Sequence, residues 1–301
     1  MNNLDSSIEA TELARAPAAP LSPAAAKQSG DKSALRILWR DHLRIGLEPQ
    51  WVAVAGYRRG LRPRLVHENV IPCDTAEQAT WRAAVDALPD ALAGIRRSRP
   101  AVTVVLSNHF VRYAVLPWSA ALKTEAEWLA LARHRFSSVH GPIAEKWTIR
   151  VAPAARERSR ITSAMDTTLL DAIKDKINGK AYLVSVQPYV MAAYNRLQPT
   201  LGHASCWLVI EEPDRLTLGL IQAGTWRAIR SRRKHEAWRM TLPRLLDRES
   251  ALLGLEAPCT EVAVCTYVPF DDEMQGGYRL RDVTLPPHGA GHDCRLAMVL
   301  E

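Results

Sequence analysis

The sequence lacks the features that define several broad classes of protein. No stretch approaches the roughly 18 to 20 consecutive apolar residues of a membrane-spanning helix, and the N-terminal segment carries Asp5 and Glu9 without the apolar core of a signal peptide. The five cysteines are odd in number and include no CxxC pair, which favours reduced thiols over a disulfide framework. We therefore expect a protein that stays in the cytoplasm.

Motifs of the common catalytic sites are missing as well. The chain has no phosphate-binding GxxxxGK[ST] loop, no GxSxG nucleophile turn and no HExxH zinc helix. His288, His292 and Cys294 lie close together, but the sequence places no fourth metal ligand with them, so we interpret this stretch as a loop. The sequence offers no positive sign of nucleophilic or metal-dependent catalysis.

Positive charge is in excess and is concentrated in one stretch. The 301 residues include 39 Lys and Arg against 32 Asp and Glu, a formal net charge of +7, which favours anionic partners without naming one. The segment "RAIRSRRKHEAWR" supplies two alternatives: an anionic docking patch for lipid headgroups, nucleic acid or an acidic partner, or a solvated hairpin end that leads into a helix. The cations of this predicted patch are Arg227, Arg230, Arg232, Arg233, Lys234 and Arg239.

The order of patterns along the chain predicts alternating strands and helices in two lobes. Residues 1–32 are rich in Ala and Pro and predict a disordered tail; residues 33–200 predict the first lobe and 201–301 a second, truncated one. Each lobe opens with a three-strand meander, whose turns include Glu48-Pro49 and Glu212-Pro213-Asp214. The run from Val102 to Trp118 predicts two strands, which we interpret as scaffold rather than as a catalytic hairpin, and Trp118 is expected to face inward. Thr124 is expected to cap the helix that follows, and a later helix is expected to end at Pro199.

Four phrases carry a resemblance to a known family. They are "VVLSNHFVRYAVLPW", "EWLALARHRFSSVHG", "RITSAMDTTLLDAI" and "YLVSVQPYVMAAYN". Together with the duplicated βββ-then-α order, they resemble the actin-like platform proteins of type IV pilus and type II secretion systems, PilM and the cytoplasmic part of GspL. The resemblance covers about residues 35 to 268. It implies an α/β fold with mixed sheets and flanking helices, namely the two-lobed actin-like (ribonuclease H-like) fold in a degenerate form.

The resemblance also implies a nucleotide cleft, whose motifs are altered in this sequence. Actin-like ATPases use an Asp-x-Gly turn in each lobe; the matching positions here hold Gly46 and Glu48 in the first turn, and Glu211 and Asp214 in the second. A proline stands at each bend, and proline has no N–H with which to bind phosphate. Gly276-Gly277 lies too far beyond the preceding strand to match the adenosine segment. We therefore expect no ATP hydrolysis and no bound cofactor.

The predicted function is a non-enzymatic cytoplasmic scaffold. By the resemblance, it would lie at the inner-membrane face of a bacterium and bind a segment of a PilN-like inner-membrane protein. The first alternative is a nucleotide-binding actin-like ATPase whose acidic residues have moved to Glu48, Glu211 or Asp214. The second is a nucleic-acid-binding protein that uses the basic patch, although no recognised nucleic-acid module is present.

Overall fold

The computed structural model describes residues 40–58, 64–74, 81–93, 99–202, 204–268, 270–283 and 293–300. The predicted tail and the two loop histidines, His288 and His292, lie outside the described residues. None of the helices in the described ranges has the length and hydropathy needed to cross a bilayer.

The N-terminal sheet has five strands in the order β3-β2-β1-β4-β8. The first three form the predicted antiparallel meander, and β4 and β8 add to β1 in parallel. The kinked helix pair α1 and α2 and the helix α4 cover one face, with apolar residues of all three in one core. The bounds are β1 His42–Leu47, β2 Trp51–Arg58, β3 Arg64–Pro72, α1 Trp81–Asp86, α2 Leu88–Ala93, β4 Ala101–Leu106, α4 Thr167–Ile177 and β8 Tyr182–Pro188.

A small three-stranded sheet is inserted between β4 and β8. It consists of β5 (Val111–Leu116), β6 (Trp147–Val151) and β7 (Arg160–Asp166) in the order β5-β7-β6. Helix α3 (Glu125–His140) packs on it, and Thr124 caps this helix, as predicted, in a capping box with Glu127. The two strands predicted between Val102 and Trp118 are present as β4 and β5, and they belong to different sheets. Strand propensity identified both strands but not their partners.

The C-terminal sheet repeats the plan of the N-terminal one. Its order is β11-β10-β9-β12-β14-β13, again a meander followed by parallel strands. The hairpin of β13 and β14, which turns at Gly276-Gly277, falls in a stretch that the sequence indicated only as polar. The bounds are β9 Cys206–Glu212, β10 Arg215–Gln222, β11 Thr225–Arg233, α6 Trp238–Leu252, β12 Glu261–Cys265, β13 Glu273–Gln275 and β14 Tyr278–Asp282.

The two large sheets share a core built from α5 (Tyr189–Leu201) and the segment 293–300. This helix continues past Pro199, where the sequence predicted its end. In the segment, residues 296–300 are buried, and the Tyr57 hydroxyl donates to the carbonyl of Val299 at 3.3 Å. A Cβ at Gly46 would lie 2.9 Å from Met298 Sδ and 3.0 Å from Val299 Cγ1. Close packing by this segment therefore accounts for the glycine at position 46.

Candidate functional site

The two turns that match the phosphate turns of actin-like ATPases meet between the large sheets, and each brings a buried carboxyl group there. Glu48 directly follows β1, and Glu212 ends β9; each is 1% exposed. Side chains alternate along a strand, so Gly46 and Glu48 share the face of β1 that looks toward the C-terminal sheet. The same alternation places Glu212 beside Leu208 and Ile210, which pack into the shared core.

Each carboxyl group is held by the opposite half of the molecule. The Tyr267 hydroxyl, just after β12, donates to Glu48 Oε1 at 2.9 Å. In the reverse direction, Glu212 Oε1 accepts from Ser107 Oγ at 2.6 Å and from the backbone N–H of Asn108 at 2.9 Å. These three hydrogen bonds join the strand ends of the N-terminal sheet to those of the C-terminal sheet, and we call this set of residues the carboxyl latch.

The carboxyl latch perturbs the acidity of both glutamates. Burial, followed by the negative charge of Glu212, raises the pKa of Glu48 well above its ordinary value. Burial also raises the pKa of Glu212, although its bonds from Ser107 and Asn108 oppose the shift. The remaining oxygen of each carboxyl, Oε2, has no hydrogen-bond partner among the described residues. The pair therefore favours a proton over a second negative charge.

Asn108 extends the carboxyl latch into the surrounding elements. Its side chain is fully buried, and its Oδ1 accepts from the Val190 N–H at the start of α5 at 3.1 Å and from the Tyr113 hydroxyl at 2.5 Å. One side chain thus joins the end of β4, strand β5 and helix α5. Asn108 was not among the residues predicted for the site; its position two residues after the largely apolar strand β4 was the available signal.

Asp214, one of the predicted cleft residues, lies at the rim rather than in the carboxyl latch. Its side chain is 51% exposed, and Oδ2 is 3.6 Å from His109 Nδ1. Arg215 Nη2 is 3.3 Å from the same ring nitrogen. Burial and the charge of Arg215 lower the pKa of His109, and Asp214 opposes them. This arrangement favours a neutral imidazole that accepts a hydrogen bond from the guanidinium group.

Glu211, another predicted cleft residue, points to the opposite face of the sheet. Its Oε1 accepts from Trp238 Nε1 at 3.1 Å and from Lys234 Nζ at 2.9 Å, and Oε2 accepts from the Thr266 hydroxyl. Because neighbouring residues of a strand face opposite ways, Glu211 and Glu212 cannot both enter the cleft. Glu211 was predicted as a cleft residue, but Glu212 is the one that faces the N-terminal sheet.

Contacts within the fold engage four of the six cations of the predicted basic patch. Arg230 and Arg232 both pair with Glu249, whose side chain is only 2% exposed, and Lys234 pairs with Glu211. Arg239 donates to the Val268 carbonyl and stacks on Phe270. Arg227 and Arg233 are exposed. The use of this patch by a partner stays a prediction.

Arg232→Ala is expected to lower the free energy of unfolding by about 1–2 kcal/mol, because it removes a partner of a buried carboxylate. Arg233→Ala, the matched control on the same strand, should change it by less than about 0.5 kcal/mol. Urea denaturation measures both values. Equal effects of the two substitutions would contradict a structural role for Arg232.

The fold is similar to those of known proteins. A Bacteroides thetaiotaomicron protein, described as having an actin-like ATPase fold and unknown function, aligns with a TM-score of 0.53 at 13% identity, over 75% of this chain and 82% of that one. The cytoplasmic domain of EpsL, an inner membrane component of the type II secretion system of Vibrio cholerae, aligns with a TM-score of 0.56 at 12% identity, over 86% and 92%. The chain has an actin-like fold. The PilM–PilN type IV pilus biogenesis complex also matches, with a TM-score of 0.56 at 13% identity, over 74% and 80%.

The sequence itself matches no family model and no curated protein. The likeness rests on the three-dimensional structure, which confirms the predicted fold class. The position of the carboxyl latch is informative, because the turns after β1 and β9 are the ones at which the resemblance implies a nucleotide cleft.

The carboxyl latch is poorly suited to bind phosphate. Two buried carboxyl groups lie at the turns, and the one negative charge that the pair retains would repel a polyphosphate anion. Pro49 and Pro213 remove N–H donors at the two bends. No cluster of three His, Cys, Asp or Glu side chains is placed to hold a metal ion within the described ranges. What the arrangement does offer is a set of hydrogen bonds between the two large sheets.

Proposed function

We propose that the chain is a non-enzymatic scaffold of a type IV pilus or type II secretion-like assembly. It acts at the cytoplasmic face of a bacterial inner membrane, where it binds a segment of an inner-membrane partner of the PilN kind. The observation that carries this proposal is the carboxyl latch: hydrogen bonds between the protein's own side chains hold the two sheets together where an actin-like ATPase needs room for phosphate.

The likeness to solved structures supports the same proposal. One of these is a complex of PilM with PilN, and another is the cytoplasmic domain of an inner membrane component of a secretion system. An added peptide strand has a place to bind in this fold, because β3 is an edge strand of nine residues with an exposed face. Backbone pairing at such an edge provides affinity without catalytic residues.

The two alternative functions receive less support. The ATPase alternative needs Glu48, Glu211 or Asp214 to act on a bound nucleotide. Glu48 accepts from Tyr267 and has a raised pKa, and Glu211 accepts from Lys234 and Trp238 on the opposite face of the sheet. Asp214 lies at the rim, 3.6 Å from His109. A nucleic-acid-binding protein would need freely extended cations, and in the predicted patch Arg230, Arg232 and Lys234 pair with carboxylates of the same fold.

A peptide-binding experiment tests the proposal. Overlapping synthetic peptides are made from the cytoplasmic segments of PilN-like inner-membrane proteins of the same organism, and their binding is measured by fluorescence anisotropy with and without Mg-ATP. We expect one segment to bind with micromolar affinity, its scrambled version not to bind, and nucleotide to have no effect. Absence of binding by every segment, or binding only with ATP, would overturn the proposal.

A further inference from the structure

A groove with a cationic rim lies beside the small sheet, away from the carboxyl latch. Its volume is about 430 Å³, and it is formed by the segment after β5, the start of α3 and the loop between β6 and β7. We call it the basic groove. The residues that carry its chemistry are Trp118, Leu122, Lys123, Trp128, Arg156, Arg158 and Arg160.

The large apolar side chains of the basic groove are two tryptophans and Leu122, and three alanines complete its apolar lining. Trp128 is buried, and the Arg160 guanidinium stacks on its ring at 4.6 Å. Trp118 is 44% exposed. The sequence pattern predicted that Trp118 faces inward, and this prediction is wrong, because β5 ends at Leu116 and the indole lies beyond the pairing of the small sheet. An exposed indole next to a groove is a common anchor in protein interfaces.

The charged part of the basic groove holds more cations than carboxylates. Lys123, Arg156, Arg158 and Arg160 line it against a single carboxylate, Glu157. Arg160 is paired with Glu125 at 2.7 Å, and Arg158 Nη1 donates to Thr225 Oγ1 at 3.0 Å. Lys123 and Arg156 are exposed. Glu125 pairs with Arg160, Glu127 lies beside Lys123, and Glu157 adds a third carboxylate, so the four cations and three carboxylates leave the rim one net positive charge.

The local backbone keeps these charges in place. Glu157 has a φ of 59°, in the left-handed region, so the chain turns sharply between Arg156 and Arg158. On the other wall, the Glu127 carboxylate accepts hydrogen bonds from the backbone N–H groups of Lys123 and Thr124. These bonds cap α3 and fix the backbone at Lys123. Arg156 and Arg158 therefore flank a sharp turn on one wall, and Lys123 lies at the start of the α3 cap on the other.

We propose that the basic groove binds an acidic protein segment that carries one large apolar side chain. The apolar side chain lies between Trp118 and Leu122, and carboxylates on either side of it pair with Lys123 and Arg156. The exposed cations Lys123 and Arg156 favour an acidic segment, and the exposed indole of Trp118 favours an apolar anchor over a purely electrostatic contact. This inference rests on the proposed function, since it assigns a binding surface to a scaffold.

The test uses a fluorescent acidic peptide with a phenylalanine between flanking Asp and Glu residues, and anisotropy at low salt. Trp118→Ala is expected to weaken binding about fivefold and Arg156→Glu about tenfold, as for an interface anchor and a charge reversal. Glu157→Gln should tighten binding about twofold, because it removes the one carboxylate of the lining. The matched controls are Met240→Ala, an exposed apolar side chain elsewhere, and Arg133→Glu on the exposed surface of α3.

Three outcomes would overturn the inference. The first is no binding of the acidic peptide, and the second is an equal loss in Arg133→Glu and Arg156→Glu, which marks nonspecific attraction. The third is a protein that does not bind the peptide but does bind phosphatidylserine vesicles, with vesicle binding lost in Trp118→Ala. That result would identify the groove as a membrane-binding surface. If an inner-membrane segment binds and the acidic peptide does not, the groove assignment fails while the proposed function stands. If no inner-membrane segment binds any variant, the proposed function itself fails.

Discussion

Glu48→Gln is expected to make the protein more stable than the wild type at pH 8, by about 1–3 kcal/mol. Glutamine keeps an oxygen that accepts from Tyr267 but removes the titrating group beside Glu212. The wild-type folded state binds a proton at Glu48 more tightly than the unfolded state does, because the folded pKa is raised. Wild-type stability from this group is therefore complete at low pH and declines as pH rises through the window between the ordinary and the raised pKa.

The measurement is urea denaturation of both proteins across the range from about pH 5 to pH 8. The advantage of Glu48→Gln should grow with pH by up to about 1.4 kcal/mol per unit, since only the wild type loses its proton. Glu145→Gln, at an exposed position, is the matched control and should follow the wild-type curve. A constant difference between Glu48→Gln and wild type would show that Glu48 does not titrate in this window.

Asn108→Ala is expected to lower the free energy of unfolding by about 2–4 kcal/mol, because it leaves two buried donors without an acceptor. These donors are the Val190 N–H and the Tyr113 hydroxyl, which both bind Asn108 Oδ1. The loss combines the desolvation of each donor with the small cavity left by the amide. Chemical denaturation measures it directly.

Asn69→Ala, at an exposed position on β3, is the control for Asn108→Ala and should change stability by less than about 0.5 kcal/mol. Circular dichroism of both variants establishes that they fold. A loss at position 108 no larger than that at position 69 would contradict the role of Asn108 as the junction of β4, β5 and α5.

Local patterns predicted most of the elements of this fold. The alternation in residues 42–58 and 206–233 identified both meanders, and the Thr124 cap identified the start of α3. Pairing over long distances was not predictable in the same way: β5 joins β7 rather than β4, because the small sheet is an insertion whose partner strand comes about 50 residues later. The hairpin at Gly276-Gly277 was not predicted, because its short strands lie in a polar stretch without a clear apolar alternation.

The sequence predicted which two turns form the candidate site, but it predicted only some of the side chains that meet there. Glu48 was identified from the turn after β1, and the structure places it in the carboxyl latch. Glu212 was passed over in favour of Glu211, although the period of the strand allows only one of them to face the cleft. Gly46 was assigned to a phosphate turn, and the reason for the glycine, contact with Met298, depends on a segment about 250 residues away in the sequence.

The most direct test of the account is a calorimetric titration of the purified protein with millimolar Mg-ATP, together with a thermal-shift assay. The account predicts no saturable heat and no rise in melting temperature beyond that caused by magnesium chloride alone. The reason is that the two turns matching the phosphate turns of actin-like ATPases carry buried carboxyl groups and prolines. Saturable binding that raises the melting temperature would contradict it, since a ligand that stabilises the native state must have a site there.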